Sequence, residues 1–261
     1  MDPETTAALA RLRSISPFAQ AAVLEEMASP HHRGELTSVQ VPLLAGLVTA
    51  TTWTVDHRRK VAFLLALQGE PGRKALDKLS FSPDATIRET AIEALRFHSL
   101  VERTRAEDDA VRRQAVAELP AYADMHPAAT EATIAALAAA YTRRYEPQFA
   151  VRLEALRGLR RFGPRAAPVI VQSFENAHPV FLQYGAAALL AMGDDAEDML
   201  LAGLRNRDPL VRQRCILVLA EKGLEDESAA AIASLESDPD PLVQKAASRI
   251  MAAYRDTTRG Q

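Results

Sequence analysis

The chain has 261 residues, with 34 acidic against 31 basic side chains, a formal charge of −3 and a pI near 6.1. That balance excludes the strongly basic profile of a general nucleic-acid binder, so any such role has to rest on local charge. Hydrophobic residues make up 48 % but aromatics only 5 %, which suits closely packed Ala- and Leu-rich helices and gives no sign of a sheet core.

In chain order, Asp2 with Pro3 opens a helix to about Arg13, and Ser16 with Pro17 opens a second to about Ala28. The first residues are acidic where a secretory signal would be basic, and no apolar run approaches membrane-spanning length. A cytoplasmic protein without membrane association is expected. Residues 1–36 read as a capping helix pair, 37–255 as an array of about seven helix pairs, and 256–261 as a frayed tail. After the loop from Ser29 to Gly34, an outer helix is predicted from Thr37 to about Thr51. Inner helices are then predicted near 55–68, 84–97, 108–122, 148–162, 179–192, 208–222 and 240–254. Outer ones fall near 71–80, 99–105, 127–144, 164–175, 194–205 and 226–237. Cys215, the single cysteine, lies on an apolar helix face and reads as a buried, inert thiol.

The inner helices are degenerate copies of one unit, best seen in the run from Asp208 to Gly223. Taking Val211 as reference, equivalent positions are His57, Ile87, Val111, Val151, Phe181 and Val243, spaced by 30, 24, 40, 30, 30 and 32 residues in chain order. Four residues on stands a column that is small except at its first member: Val61, Ala91, Ala115, Ala155, Gly185, Cys215, Ala247. Eight residues on stand Leu65, Leu95, Leu119, Leu159, Leu189, Leu219 and Met251. Positions i, i+4 and i+8 share one helical face, so the small residue lets a neighbour approach and the leucine fills the space between stacked units. Asp84, Asp108, Asp208 and Asp240 stand three before the reference as N-caps, and Gly69, Gly163, Gly193 and Gly223 stand twelve after it as closing residues. No such pair closes a core alone; stacking on the next pair gives an all-α, right-handed α-solenoid.

Aspartate, Val-Arg, alanine and leucine at these offsets, repeated near 30 residues, resemble the short bacterial type of HEAT repeat, also called phycobilisome-lyase-like, over roughly residues 38–255. The resemblance implies an α-α superhelix and a scaffold with many uses. Two HEAT-like enzyme families have more specific patterns. Deoxyhypusine hydroxylase binds iron through His-Glu pairs, and here no histidine is followed by glutamate. Alkylated-base DNA glycosylases use aromatics with a carboxylate, loosely matched by Trp53 and Asp56, although Trp53 also suits a packed turn and Asp56 a helix cap.

No catalytic residue, metal site or cofactor is indicated. The six histidines lack metal-ligand spacing, including adjacent His31 and His32, and Gly69-Glu-Pro-Gly72 reads as a helix-to-helix turn without a phosphate-loop lysine context. The densest local charge is cationic: Arg143, Arg144, Arg152, Arg157, Arg160, Arg161 and Arg165 are opposed only by Glu146 and Glu154. Inner helices add Arg112, Arg113, Arg212 and Arg214. Arginine follows the reference in five copies, as Arg58, Arg88, Arg112, Arg152 and Arg212, and Leu182 breaks that column beside Tyr184. Two readings stand: the arginines hold an acidic partner on the concave inner face, or they bond carbonyls and acids of neighbouring units. The expectation is a non-catalytic scaffold binding a protein or peptide through these arginines and Tyr184. The alternative is a nucleic-acid-binding or glycosylase-like protein using the same arginines on phosphate.

Overall fold

The computed structural model describes residues 40–50, 53–142, 149–175 and 179–259. The described chain is helical and contains no strand. The expected capping pair, Arg143, Arg144, His31, His32 and His178 lie outside the described residues.

The helix starts follow the cap column. Asp84 accepts hydrogen bonds from the backbone N–H groups of Thr86 and Ile87 (2.8 and 3.1 Å), Asp108 from Val111 (2.9 Å), Asp208 from Leu210 (2.7 Å) and Asp240 from Leu242 and Val243 (2.9 and 3.2 Å). Each satisfies first-turn donors that would otherwise lack a partner. The glycine column is equally regular: among the described residues, Gly69, Gly163, Gly193 and Gly223 are those of positive φ, at 57, 55, 62 and 105°. A β-carbon is strained there, which is why glycine recurs where one helix hands over to the next.

The chain divides after Gly158 into two compact units, Met1–Gly158 and Leu159–Gln261. The first holds α1 (Gln40–Val48), α2 (Val55–Ala66), α3 (Gly69–Leu79), α4 (Ala85–Arg103), α5 (Asp109–Met125), α6 (Thr130–Thr142) and most of α7 (Phe149–Arg160). Helix α2 packs on α3 and α4, α3 on α4, α4 on α5, and α5 on α6. Phe63, Phe97, Leu65, Leu76, Leu119, Leu137 and Tyr141 are fully buried between them. Phe63 and Phe97 meet edge to face at 5.5 Å, and Tyr122 stacks on His126 at 4.4 Å, so the irregular stretch at the end of α5 supplies the unit's aromatic cluster. The Tyr122 hydroxyl donates to the Glu93 carbonyl (2.8 Å), and burial, with the Glu93 charge second, pushes the phenol up to about 12. Nδ1 of buried His98 lies 2.8 Å from the Ala66 carbonyl, which can only accept, so that nitrogen carries the proton.

The second unit holds α8 (Ala167–Gln172), α9 (Pro179–Leu190), α10 (Glu197–Gly203), α11 (Pro209–Lys222), α12 (Asp226–Ser234) and α13 (Pro241–Arg259). Helix α8 packs on α9 and α10, α9 and α10 on α11, and α11 and α12 on α13. A β-carbon on Gly203 would stand 2.5 Å from Cys215 Sγ and 3.0 Å from Val171, so α10 lies directly on α11 and α8. Cys215 is buried and its thiol is pushed up to about 12 by that burial.

Several predicted boundaries are corrected. No separate outer helix occupies 99–105: α4 runs unbroken from Ala85 to Arg103, because no cap, glycine or proline interrupts it and Leu100 and Val101 extend its buried face. Gly69-Glu-Pro-Gly72 is the first turn of α3 and not a turn between helices. Helix α5 continues through Pro120 to Met125. Outer helices α8, α10 and α12 are short, flanked by 3-10 turns such as Gly163–Arg165, Gly193–Ala196 and Leu235–Ser237. Helix α13, predicted to end near 254, runs to Arg259.

Candidate docking groove

Three of the five column arginines share one geometry, while Nε of a fourth, Arg58, is buried without a hydrogen-bond partner. Arg88 donates from Nη1 to the Ser82 and Pro83 carbonyls (2.9 and 3.5 Å), Arg112 to Ala106 and Glu107 (2.8 and 2.7 Å), and Arg212 to Asn206 and Arg207 (2.9 and 3.1 Å). In each copy these are the carbonyls six and five residues back, in the turn that precedes the helix. Arg152 turns Nε to the Tyr141 carbonyl (2.9 Å). Arg112 also pairs with Asp109 and is only 6 % exposed. Arg212 forms a two-pronged pair with Asp238 (2.9 and 2.8 Å), joining α11 to the loop before α13. This contact holds the Asp238 carboxyl below the usual carboxylate range. Arg112 and Arg212, expected on the binding surface, are thus directed into the protein's own turns.

The other expected residues divide between the units. In the first, Arg113 is exposed, and Arg157 is exposed with an ion pair to Glu154 at 3.2 Å. In the second, Arg160 and Arg161 are exposed around the end of α7, and Tyr184 is exposed on α9. Trp53, by contrast, is buried against His57, and Asp56 pairs with Lys60 at 3.2 Å. The cap of α2 is Thr54, whose hydroxyl accepts from the His57 N–H (3.3 Å); Asp56 does not fill that role.

Arg214 behaves differently from its neighbours. It lines a cavity of about 440 Å³ between α9 and α11, floored by Phe174, with Leu182, Ala186 and Ala187 on one wall and Leu217 and Glu221 on the other. Its Nη1 is buried and has no hydrogen-bond partner. Burial pulls the guanidinium below the usual arginine range, opposed by the charge of Asp208. An unpaired cationic donor in a mostly apolar groove is an energetic deficit that an acceptor from outside would remove.

Leu182, at the break in the arginine column, lines the same groove as Arg214. Tyr184 is not among the residues that line the groove. Sequence reasoning missed Phe174, Gln183, Leu217 and Glu221. A usable signal existed for two of them: Leu210, Arg214, Leu217 and Glu221 fall at i, i+4, i+7 and i+11, one stripe of α11. Leu210 and Leu217 on that stripe are 37 % and 40 % exposed, so its two leucines stand only partly covered beside the two charges.

Among the described residues, one group of possible metal ligands comes together: Asp194, Glu197 and Glu225. The ammonium of Lys222 already stands among them, 2.9, 2.6 and 3.6 Å from their oxygens, and these contacts hold it above the usual lysine range. The cluster is accounted for as a clip between the ends of α10 and α11. No described helix is long and apolar enough to cross a membrane.

No family model matches the chain, and no curated protein matches it. Among solved structures, human deoxyhypusine hydroxylase in complex with glycerol is similar at 18 % identity and a TM-score of 0.34, covering 95 % of this chain and 83 % of that one. An engineered protein is similar at 18 % identity and a TM-score of 0.23, covering 83 % of this chain and 97 % of that one. The expectation that this chain is not an enzyme is corrected here, since the first of these neighbours is an enzyme. Lack of a recognised motif is no ground for excluding catalysis in a helical chain of this kind. The likeness is too low to bring an activity, a metal or a substrate to this protein.

Proposed function

We propose that the chain is a right-handed α-solenoid of HEAT-like helix pairs that works by presenting a surface, and that a protein or peptide partner docks in the groove between α9 and α11. Columns of caps, small residues and leucines at fixed offsets support the repeat reading, as do helices that pack on the next helix and the next but one. The observation that carries the docking site is the apolar cavity of about 440 Å³ in which the buried Arg214 Nη1 lacks an acceptor. Grooves of this kind take the side chains of a bound segment, while one well-placed polar group sets its register.

Panning a displayed peptide library on the full chain tests this reading. Clones captured by the native protein are expected to be lost on Ala187→Trp, which fills the groove from an exposed position. A library that yields no clones, or clones that bind the tryptophan variant equally well, would overturn it.

A further inference from the structure

The groove carries charge at both ends, and this allows its occupant to be specified further, on the footing that the groove is a docking site. Arg214 and Glu221 both line it and stand seven residues apart on α11, about 10 Å along the helix axis. Neither makes a hydrogen bond or ion pair with another described residue. What distinguishes Arg214 within the unit is that its unpartnered Nη1 is buried; Arg212, Lys222 and Arg255, by contrast, are paired with Asp238, Glu197 and Glu236. Between the two ends the lining is apolar: Phe174, Leu182, Leu217 and Val218, with Ala186 and Ala187 small enough to admit another backbone closely.

We infer that the α9–α11 groove binds an amphipathic helical segment of a partner protein, with a carboxylate for Arg214, a cation two turns away for Glu221, and aliphatic side chains between. A helix repeats its face every three to four residues, so residues i and i+7 of the partner span the same distance as Arg214 and Glu221, and i+3 and i+4 fall over Leu217 and Val218. The segment runs in whichever direction brings its acid to Arg214. An acid there supplies the acceptor that Nη1 lacks, in surroundings that screen the pair less than open water does. An extended segment would cover the same 10 Å in about three residues and could not set two aliphatic side chains on one face between the charges.

Four labelled helical peptides serve as probes, identical except at positions i and i+7, which carry Glu/Lys, Lys/Lys, Glu/Glu or Gln/Gln, each with leucine at i+3 and i+4. Fluorescence anisotropy with the full chain at low salt is expected to rank Glu/Lys first, about tenfold or more tighter than Lys/Lys. Arg214→Glu is expected to move the preference to Lys/Lys, and Glu221→Lys to move it to Glu/Glu, while circular dichroism of both variants matches the native protein. The inference is overturned if no peptide binds saturably, or if the ranking is the same for all three proteins. Library clones that depend on the groove but lack the paired charges would leave the docking site standing and sink this inference alone; clones insensitive to Ala187→Trp would sink both.

Discussion

Asp238 shows how one side chain can hold two helices of an array in register. Its carboxylate is 4 % exposed and accepts two hydrogen bonds from Arg212, which is also anchored to two carbonyls of its own turn. Removing one member of such a pair leaves the other charge buried without its counterion, so Asp238→Asn is expected to cost about 3 kcal/mol, read from the urea midpoint at neutral pH. The folded-state pKa of Asp238 lies below its unfolded value, so the pair's contribution is complete above about pH 4 and is lost as pH falls through the lower, folded value. The gap between native and Asp238→Asn midpoints should therefore close on acidification below pH 4 and hold steady from pH 5 to 7. A gap that persists at low pH would mean that shape, and not charge, is what matters at this position. Of this residue-scale detail the sequence disclosed the repeating arginine but not its acid, because Asp238 lies outside the cap column and meets Arg212 only once the loop before α13 has folded.

Among the helices, legibility followed the strength of the local signal. Aspartate caps and closing glycines bear on their own few residues, and both columns are found where the offsets place them. Lengths and connections depend on packing, and there the reading failed: α4 absorbed a whole predicted outer helix, and α8 and α10 shrank to six and seven residues flanked by 3-10 segments. The leucine column has its exception in the same place, since Leu95 is only half-buried while Ala94, Phe97 and His98 of the long α4 face inward. The docking groove was half legible. Arg214 was visible as one of the inner-helix arginines and Leu182 as a break in their column, whereas Phe174 arrives from a different turn. The arginine clip yields a prediction at this level, from two adjacent residues of α5. Arg112→Ala removes donors to two carbonyls and to Asp109 and is expected to destabilise the chain by about 2 kcal/mol. Arg113→Ala, at an exposed position on the same turn, should stay within about 0.5 kcal/mol of the native value. Equal losses in thermal or urea unfolding would show that the column arginines act through general charge and not through their turns.

Across the molecule, contacts within each unit run mainly between helices that are neighbours in sequence or one apart, the exception being α2, which also touches the end of α5 and α6, so stability is expected to be held locally and added up along the chain. Two glycines at close helix approaches put this to the test. A β-carbon at Gly203 would strike Cys215 and press on Val171 in the second unit, and one at Gly72 would collide with the Leu65 carbonyl oxygen in the first. The neighbours at Gly203 are a buried thiol and a packed valine, and the one at Gly72 is backbone, so both sites have to open for alanine to fit. Gly203→Ala should then lower amide protection in α8, α10 and α11 well before it does so in α12, which packs mainly on α13 and the Leu235–Ser237 turn. Gly72→Ala should loosen α2, α3 and α4 well before α7, since α2 also touches the end of α5 through Phe63 and reaches α6. Hydrogen exchange followed by mass spectrometry separates this graded pattern from its opposite, in which every helix of the affected unit loses protection in step. The uniform result would mean that the unit unfolds as a single cooperative globule, and the nearest-neighbour account of its stability, along with the solenoid reading drawn from it, would have to be given up.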